Sequence, residues 1–356
     1  MPDSTSSFVA RALFFFASLL LLCTWELGAQ TTSPASPAPP VMRDVIDGYG
    51  RSVHLPLNPS RIVSLAPSLT ETLYALGVED RLVGDTDYCD YPPDAQKKPK
   101  VGGVINPNLE EIAALHPDLV LVTKEGNTLD TVRSLDTLGI PSYATDARTI
   151  DEIISFTQKL ADVLNVSASG KALTDDLERR LAGLHSKLSS VAPKRVFFIV
   201  WPEPLISVGK GTFIADALSR AGGASIVDSS QDWPQINLEE VARLQPEFLV
   251  LAESHSDSGA HDFDTLANRP GWRILEAVHK RQYAVISDAI VRPAPRIVSV
   301  IEDLARQLHP EVFLDAPGTE KPVTPSNSGA SAQASSVSVV MSTLIATSSL
   351  EPPCVR

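Results

Sequence analysis

Two near-copies of one segment constrain this chain more than any other feature. Asn108-Leu-Glu-Glu-Ile-Ala-Ala-Leu-His-Pro-Asp-Leu-Val-Leu-Val122 recurs as Asn237-Leu-Glu-Glu-Val-Ala-Arg-Leu-Gln-Pro-Glu-Phe-Leu-Val-Leu251. The copies lie too far apart for a solenoid of short repeats, so they point to two similar lobes. In each copy an Asn is placed to cap a short helix, and a Glu follows three residues on, as in a capping box. Glu111 and Glu240 hold that position. Pro117 and Pro246 end the helix, and the apolar run after each suits a buried strand. Glu110 and Glu239 therefore fall at equivalent places in the first turn of equivalent helices.

The rest of the body repeats the same alternation. A hairpin is expected where 41–46 and 51–55 flank Asp47-Gly48-Tyr49-Gly50. Strands follow at 61–65, 81–84, 118–122 and 141–145, separated by helices starting near Ser68, Asn108 and Thr128. Gly77 and Gly139 stop the first and last of these helices. The second lobe restarts with an apolar strand at 195–200. A helix at 212–220, the repeated helix and strand, a helix near 272–278, a strand at 282–286 and a closing helix at 295–307 complete it. Residues 150–191 carry apolar positions at helical spacing with no strand between them, with a break expected within 165–170. A helix over 168–190 would run roughly 33 Å, enough to bridge two lobes. The expected fold is α/β: two similar open-sheet lobes joined by one long helix, with a ligand cleft between them. The lobes are assigned to 41–149 and 192–314, with the helical segment at 150–191.

The ends read differently. Arg11 precedes an apolar run at 12–22 that is too short for a membrane span and reads as the core of a signal peptide. Cleavage is expected after Ala29, with lipid attachment at Cys23 as the alternative. Residues 30–40 form a Pro/Ser/Thr-rich spacer, and 315–356 a low-complexity tail expected to be disordered. Export places the protein in the periplasm. Beyond the leader only Cys89 and Cys354 remain, so no disulfide framework is expected. The net charge of −13 excludes a general basic surface for nucleic acid.

Arg61-Ile-Val-Ser-Leu-Ala-Pro-Ser-Leu-Thr-Glu71, Tyr88-Cys-Asp-Tyr-Pro-Pro93, Asn108-Leu-Glu110, Trp233-Pro-Gln235, Ser287-Asp288 and Arg292-Pro-Ala-Pro-Arg296 together resemble the helical-backbone substrate-binding proteins of ABC importers. The resemblance spans 61–310 and is strongest to the cobalamin-binding branch. It implies a transported corrinoid as ligand, no resident cofactor, a monomer, and an ABC importer permease dimer as partner. It also implies ligand-binding roles for Tyr88, Trp201, Trp233, Asp288 and Arg292, and permease docking by Glu110 and Glu239. Tyr88 follows a strand end, where ligands of open α/β sheets bind. Trp233 and Trp201 offer flat apolar faces. Asp288 and Arg292 can hydrogen-bond the amide arms of a corrin. The chain departs from this branch near Val104 and Thr123, where tryptophans stand in its members, so that side of the cleft is expected to be less aromatic.

Haem or a ferric siderophore is the alternative ligand. Haem would want an axial Tyr or His, which Tyr88 or Tyr91 could supply. An enzyme is the remaining class. The chain has no Gly-Xaa-Ser-Xaa-Gly elbow, no phosphate loop and no His-Glu-Xaa-Xaa-His, and its histidines lack metal-ligand spacing. No catalytic or metal-binding residue is assigned.

Overall fold

The computed structural model describes residues 40–253 and 263–313. The expected signal peptide, nearly all of the spacer and the tail lie outside the described residues.

The first lobe opens with an antiparallel hairpin, β1 (Met42–Ile46) and β2 (Ser52–Pro56). Its turn closes on the buried Asp47 carboxylate, which accepts from the backbone N–H of Tyr49 and Arg51 and from the Arg51 guanidinium. Four parallel strands follow: β3 (Ile62–Ser64), β4 (Leu82–Asp85), β5 (Leu119–Thr123) and β6 (Ser142–Thr145), in the spatial order β4-β3-β5-β6. Helices α1 (Pro67–Ala75), α2 (Leu109–Ala114) and α3 (Leu129–Thr137) connect them. β5 shows why these strands read as unbroken apolar runs. Leu119 and Leu121 enter the core on one face of the sheet, and Val120 and Val122 the core on the other.

Two helices, α4 (Ile150–Val163) and α5 (Ser167–Leu188), lead to the second lobe. Both serve both lobes. Ile150, Ile153 and Ile154 of α4 belong to the core of the second lobe, whereas Leu160, Ala161 and Val163 belong to that of the first. Leu177, Leu181 and Leu184 of α5 return to the second core. The 22 residues of α5 span about 33 Å, so the long bridging helix expected from the sequence is present, with α4 packed beside it. The break is confined to the left-handed Asn165 (φ 56°) and its neighbours. Gly170 lies inside α5, because a Cβ there would meet that of Ala161 at 2.3 Å.

The second lobe holds β7 (Lys194–Ile199), a small hairpin β8 (Trp201–Pro202) and β9 (Leu205–Ile206), α6 (Phe213–Arg220), β10 (Gly223–Ser225), α7 (Leu238–Leu244) and β11 (Phe248–Ala252). Helices α8 (Phe263–Ala267) and α9 (Glu276–His279), strand β12 (Tyr283–Ile286) and helices α10 (Ile297–Leu308) and α11 (Pro310–Phe313) complete it. Its parallel sheet runs β10-β7-β11-β12, the same order as in the first lobe.

The repeat extends into geometry that the sequence did not announce. The residue before each repeat proline is left-handed: His116 at φ 45° and Gln245 at φ 44°. An arginine at the base of the neighbouring strand ties down each corner. Arg61 donates to the carbonyls of Leu115 and His116, and Arg195 to that of Gln245. In return Asp118 accepts from the Arg61 N–H at 2.9 Å, and Glu247 from the Arg195 N–H at 2.8 Å. The capping box does not form. Asn108 and Asn237 do cap their helices, accepting from Glu110 and Glu111 and from Glu239. But the Asn108 N–H is already bonded to the Val101 carbonyl, and Glu240 turns to Arg243 one turn along. Glu111 and Glu240 therefore do not serve as capping carboxylates.

Candidate functional site

A cleft of about 740 Å³ lies between the lobes, lined by segments that follow strands. From the first lobe come Ala66–Ser68 after β3, Tyr88 after β4, Val104, and Thr123, Glu125 and Gly126 at the end of β5. The second lobe supplies Phe213 at the start of α6, Trp233, and 291–293 after β12. Most of this lining is apolar, as a site for a large flat ligand requires. Tyr88 and Trp233 stand on opposite lobes of one cavity, as expected. Val104 and Thr123 form part of the first-lobe wall, where bulkier aromatics would otherwise narrow it.

The loops that carry the two aromatics are pinned from below. The Tyr88 loop sits on a buried polar cluster. Thr70 Oγ1 donates to Ser64 Oγ at 2.9 Å and lies 3.2 Å from Cys89 Sγ, as does Thr86 Oγ1. Burial pushes the Cys89 thiol up to about 11, which makes it a packing group rather than a nucleophile. Asp85 is fully buried and its carboxyl is pushed up to about 6 by desolvation, against the pull of Lys100 at 2.7 Å. Lys100 also donates to the carbonyls of Cys89 and Ala95, which fixes the far side of the loop. In the second lobe the Pro234 carbonyl accepts from the Ser207 N–H, and Gln235 bridges to Ile206. Trp233 is thereby held beside β9.

Arg292 lines the cleft but is only 5% exposed. Its guanidinium reaches Asp288 at 2.8 Å and crosses to the first lobe, to Asp90 at 2.6 Å and Glu71 at 3.0 Å. Burial works against its charge, but Asp90, Asp288 and Glu71 outweigh that and hold its pKa above the ordinary arginine value. Arg296 joins from α10's N-cap, bonding Glu71 twice at 2.9 Å and lying 3.9 Å over the Tyr91 ring. Glu71 is thus a buried carboxylate shared by two arginines of the other lobe. Asp288 pairs with Arg292 but is not part of the cleft lining. A second tie crosses at another point, where Arg148 grips Asp232 through both Nη atoms at 2.9 and 2.5 Å.

Trp201 stands apart from the other expected contacts. It lies on β8, donates through Nε1 to the Glu203 carbonyl at 2.9 Å, packs partly on the second-lobe core and is not among the lining residues. Glu110 and Glu239 are exposed in the first turns of α2 and α7. Unlike Glu240, neither makes a side-chain ion pair within the described residues.

Sequence reasoning missed Glu71, Phe213 and Glu125. Applied to the loop after β5, the rule that ligands gather at the carboxyl ends of parallel strands would have flagged Glu125. Its carboxyl is pushed up to about 7, by desolvation first and by the nearby Asp232 and Asp146, against the pull of Arg148.

The sequence profile of the periplasmic binding protein family matches residues 62–289. The vitamin B12-binding protein of Vibrio cholerae is 31% identical over 259 residues, covering 71% of this chain and 90% of that protein. An uncharacterised ABC transporter substrate-binding lipoprotein of Bacillus subtilis is 29% identical over 275 residues, covering 75% and 85%. Among solved structures, the periplasmic vitamin B12-binding protein of Vibrio cholerae superposes with a TM-score of 0.62 at 30% identity, over 73% of this chain and all of that one.

Proposed function

The chain belongs to the periplasmic binding protein family, and from that premise we propose that it captures cobalamin or a close corrinoid between its lobes and delivers it to an ABC importer permease. The observation that carries this reading is the pair Tyr88 and Trp233, facing into one largely apolar cleft from opposite lobes. In this reading the two rings pack on the macrocycle, and Phe213 adds a third face. Arg292 meets the peripheral amides at the rim of the cleft, held in place by Asp288, Asp90 and Glu71. Trp201 supports the hairpin beside the cleft.

Delivery rests on Glu110 and Glu239. They occupy equivalent places on lobes related by the repeat and are free to meet basic residues on the two halves of a permease dimer. Exposed ion pairs are individually weak, so two acting together matter more than either alone. The protein acts as an exported monomer in the periplasm and binds ligand without altering it.

Haem is the second reading, because the Tyr88 phenol lines the cleft and could ligate iron. Absorption titration of the purified protein with cyanocobalamin and with haemin separates the two. Saturable binding of one cyanocobalamin per chain, with no Tyr–iron band from haemin, supports the corrinoid reading. The reverse pattern overturns it.

A further inference from the structure

We propose that Glu125 is a specificity residue of the cleft: its carboxyl group pairs with a primary amide on the rim of the bound macrocycle and turns away ligands that present a carboxylate at that place. The proposal rests on the corrinoid reading above and adds which groups of the ligand are inspected, and by what.

The geometry singles out this side chain. Glu125 is half-buried and lines both the main cleft and a smaller hollow of about 470 Å³ behind it. The two cavities also share Ser68, Thr123 and Pro293, so the hollow continues the cleft toward α4. Its lining mixes hydroxyl residues, Ser68 and Thr123 among them, with the apolar Leu69, Ile153, Phe156 and Leu160. Such a mixed lining suits a neutral arm that can hydrogen-bond, and not a charged one.

The other charged groups around it are already engaged. Asp146, after β6, is bonded to Lys124 at 2.6 Å. Arg148 and Asp232 hold each other, and Arg292 is shared among Glu71, Asp90 and Asp288. Glu125 makes no hydrogen bond or ion pair within the described residues. Each cation near it already has a carboxylate, so none is left to neutralise an anionic ligand. A carboxylate arm entering the hollow would face Glu125 and Asp146 without a counter-charge, and burying an unpaired charge is costly.

A neutral Glu125 fits an amide closely. Its O–H donates to the amide carbonyl, while its other oxygen accepts the amide N–H. With its pKa near 7, the acid is partly protonated at neutral pH. Filling the cleft expels water, which favours the neutral form further. Arg148 pulls the other way but is held by Asp232. Arg292, its pKa held above the ordinary arginine value, keeps its charge through neutral pH.

The test titrates wild-type protein, Glu125→Gln and Glu125→Ala with cyanocobalamin, and with its monocarboxylic acids, in which one peripheral amide is hydrolysed. Wild-type affinity for cyanocobalamin should fall about tenfold between about pH 6 and about pH 8.5, as Glu125 loses its proton. Glu125→Gln should bind with a flat profile over the same window, because its amide pairs with the ligand amide at every pH. Glu125→Ala should bind about tenfold more weakly than wild type at the lower pH, also without pH dependence. One acid isomer should be rejected by wild type at least about tenfold at the higher pH and be largely readmitted by Glu125→Gln. The proposal is overturned if Glu125→Gln keeps the wild-type pH profile, or if both proteins rank the acid isomers identically. Failure of wild-type protein to bind cyanocobalamin at either pH overturns the corrinoid reading itself and this proposal with it.

Discussion

Replacing Glu71 by Ala removes the one buried carboxylate that two arginines of the opposite lobe share. Glu71 is 4% exposed and accepts three charge-assisted hydrogen bonds: from Arg292 Nη1 at 3.0 Å, and from Arg296 Nε and Nη2 at 2.9 Å each. The two arginines do not suffer alike. Arg292 keeps Asp90 at 2.6 Å and Asp288 at 2.8 Å. Arg296 keeps the Tyr91 ring, a long hydrogen bond to Ser287 Oγ at 3.5 Å and a distant Asp288 at 3.9 Å. Breaking a buried pair by deleting one partner costs about 3–5 kcal/mol, and the carboxylates left to Arg292 place this case near the low end, at about 3 kcal/mol. Urea unfolding should show that loss as a lower midpoint with an unchanged slope. Glu71→Leu paired with Arg296→Met should recover much of it, because the pair is then replaced rather than broken. A loss below about 1 kcal/mol for Glu71→Ala would refute the reasoning, since it would mean that the arginines are as well solvated without the carboxylate.

Other outcomes follow from the same geometry. Trp233→Ala should weaken cyanocobalamin binding by about 2 kcal/mol, roughly thirtyfold in Kd, measured by titration calorimetry, if its indole forms a desolvated wall; a change under about twofold would leave it a loop residue. The double change Glu110→Ala with Glu239→Ala should keep ligand affinity and abolish delivery in reconstituted vesicles, each single change doing less; full uptake by the double variant would make both mere helix-start charges. Because α4 and α5 each contribute to both lobe cores, scattering curves with and without ligand should nearly superpose, and a compaction of several ångströms would contradict the helical backbone as a stiff joint. Asp85 holds its proton more tightly folded than unfolded, so its contribution is most favourable below about pH 4 and is lost as pH rises toward about 6. The stability of wild type relative to Asp85→Asn should therefore fall by on the order of 2–3 kcal/mol across that window and stay level above it; no change with pH would show that Asp85 titrates normally.

The repeat made the two lobes legible because each copy encodes a complete local unit: a capped helix, a stop and a strand buried on both faces. The bridging helices were legible for a similar reason, since apolar residues at helical spacing continued from Ile153 to Leu184 without a strand signal. β10 was not, because Gly223-Ala224-Ser225 carries no β-branched residue and follows a helix-stopping glycine; only its pairing with β7 makes it a strand. The capping box failed for a tertiary reason, the Val101 carbonyl having taken the N–H it needed. Tyr88 and Trp233 could be placed by rule and resemblance. The partners of Glu71 could not, because they lie more than two hundred positions away in the chain. Trp201 shows the limit of counting aromatics near strand ends: the two-residue turn after β8 sets where the ring lies, and it is not in the cleft lining.

The central claim is that the cleft between the lobes takes a corrinoid. Equilibrium dialysis of the purified protein against cyanocobalamin, with haemin and a ferric siderophore in parallel, tests it most directly. The account predicts one cyanocobalamin per chain at micromolar concentration or below, undisturbed by the other two. Tight binding of haemin or the siderophore, with no cyanocobalamin retained at micromolar concentration, would contradict it.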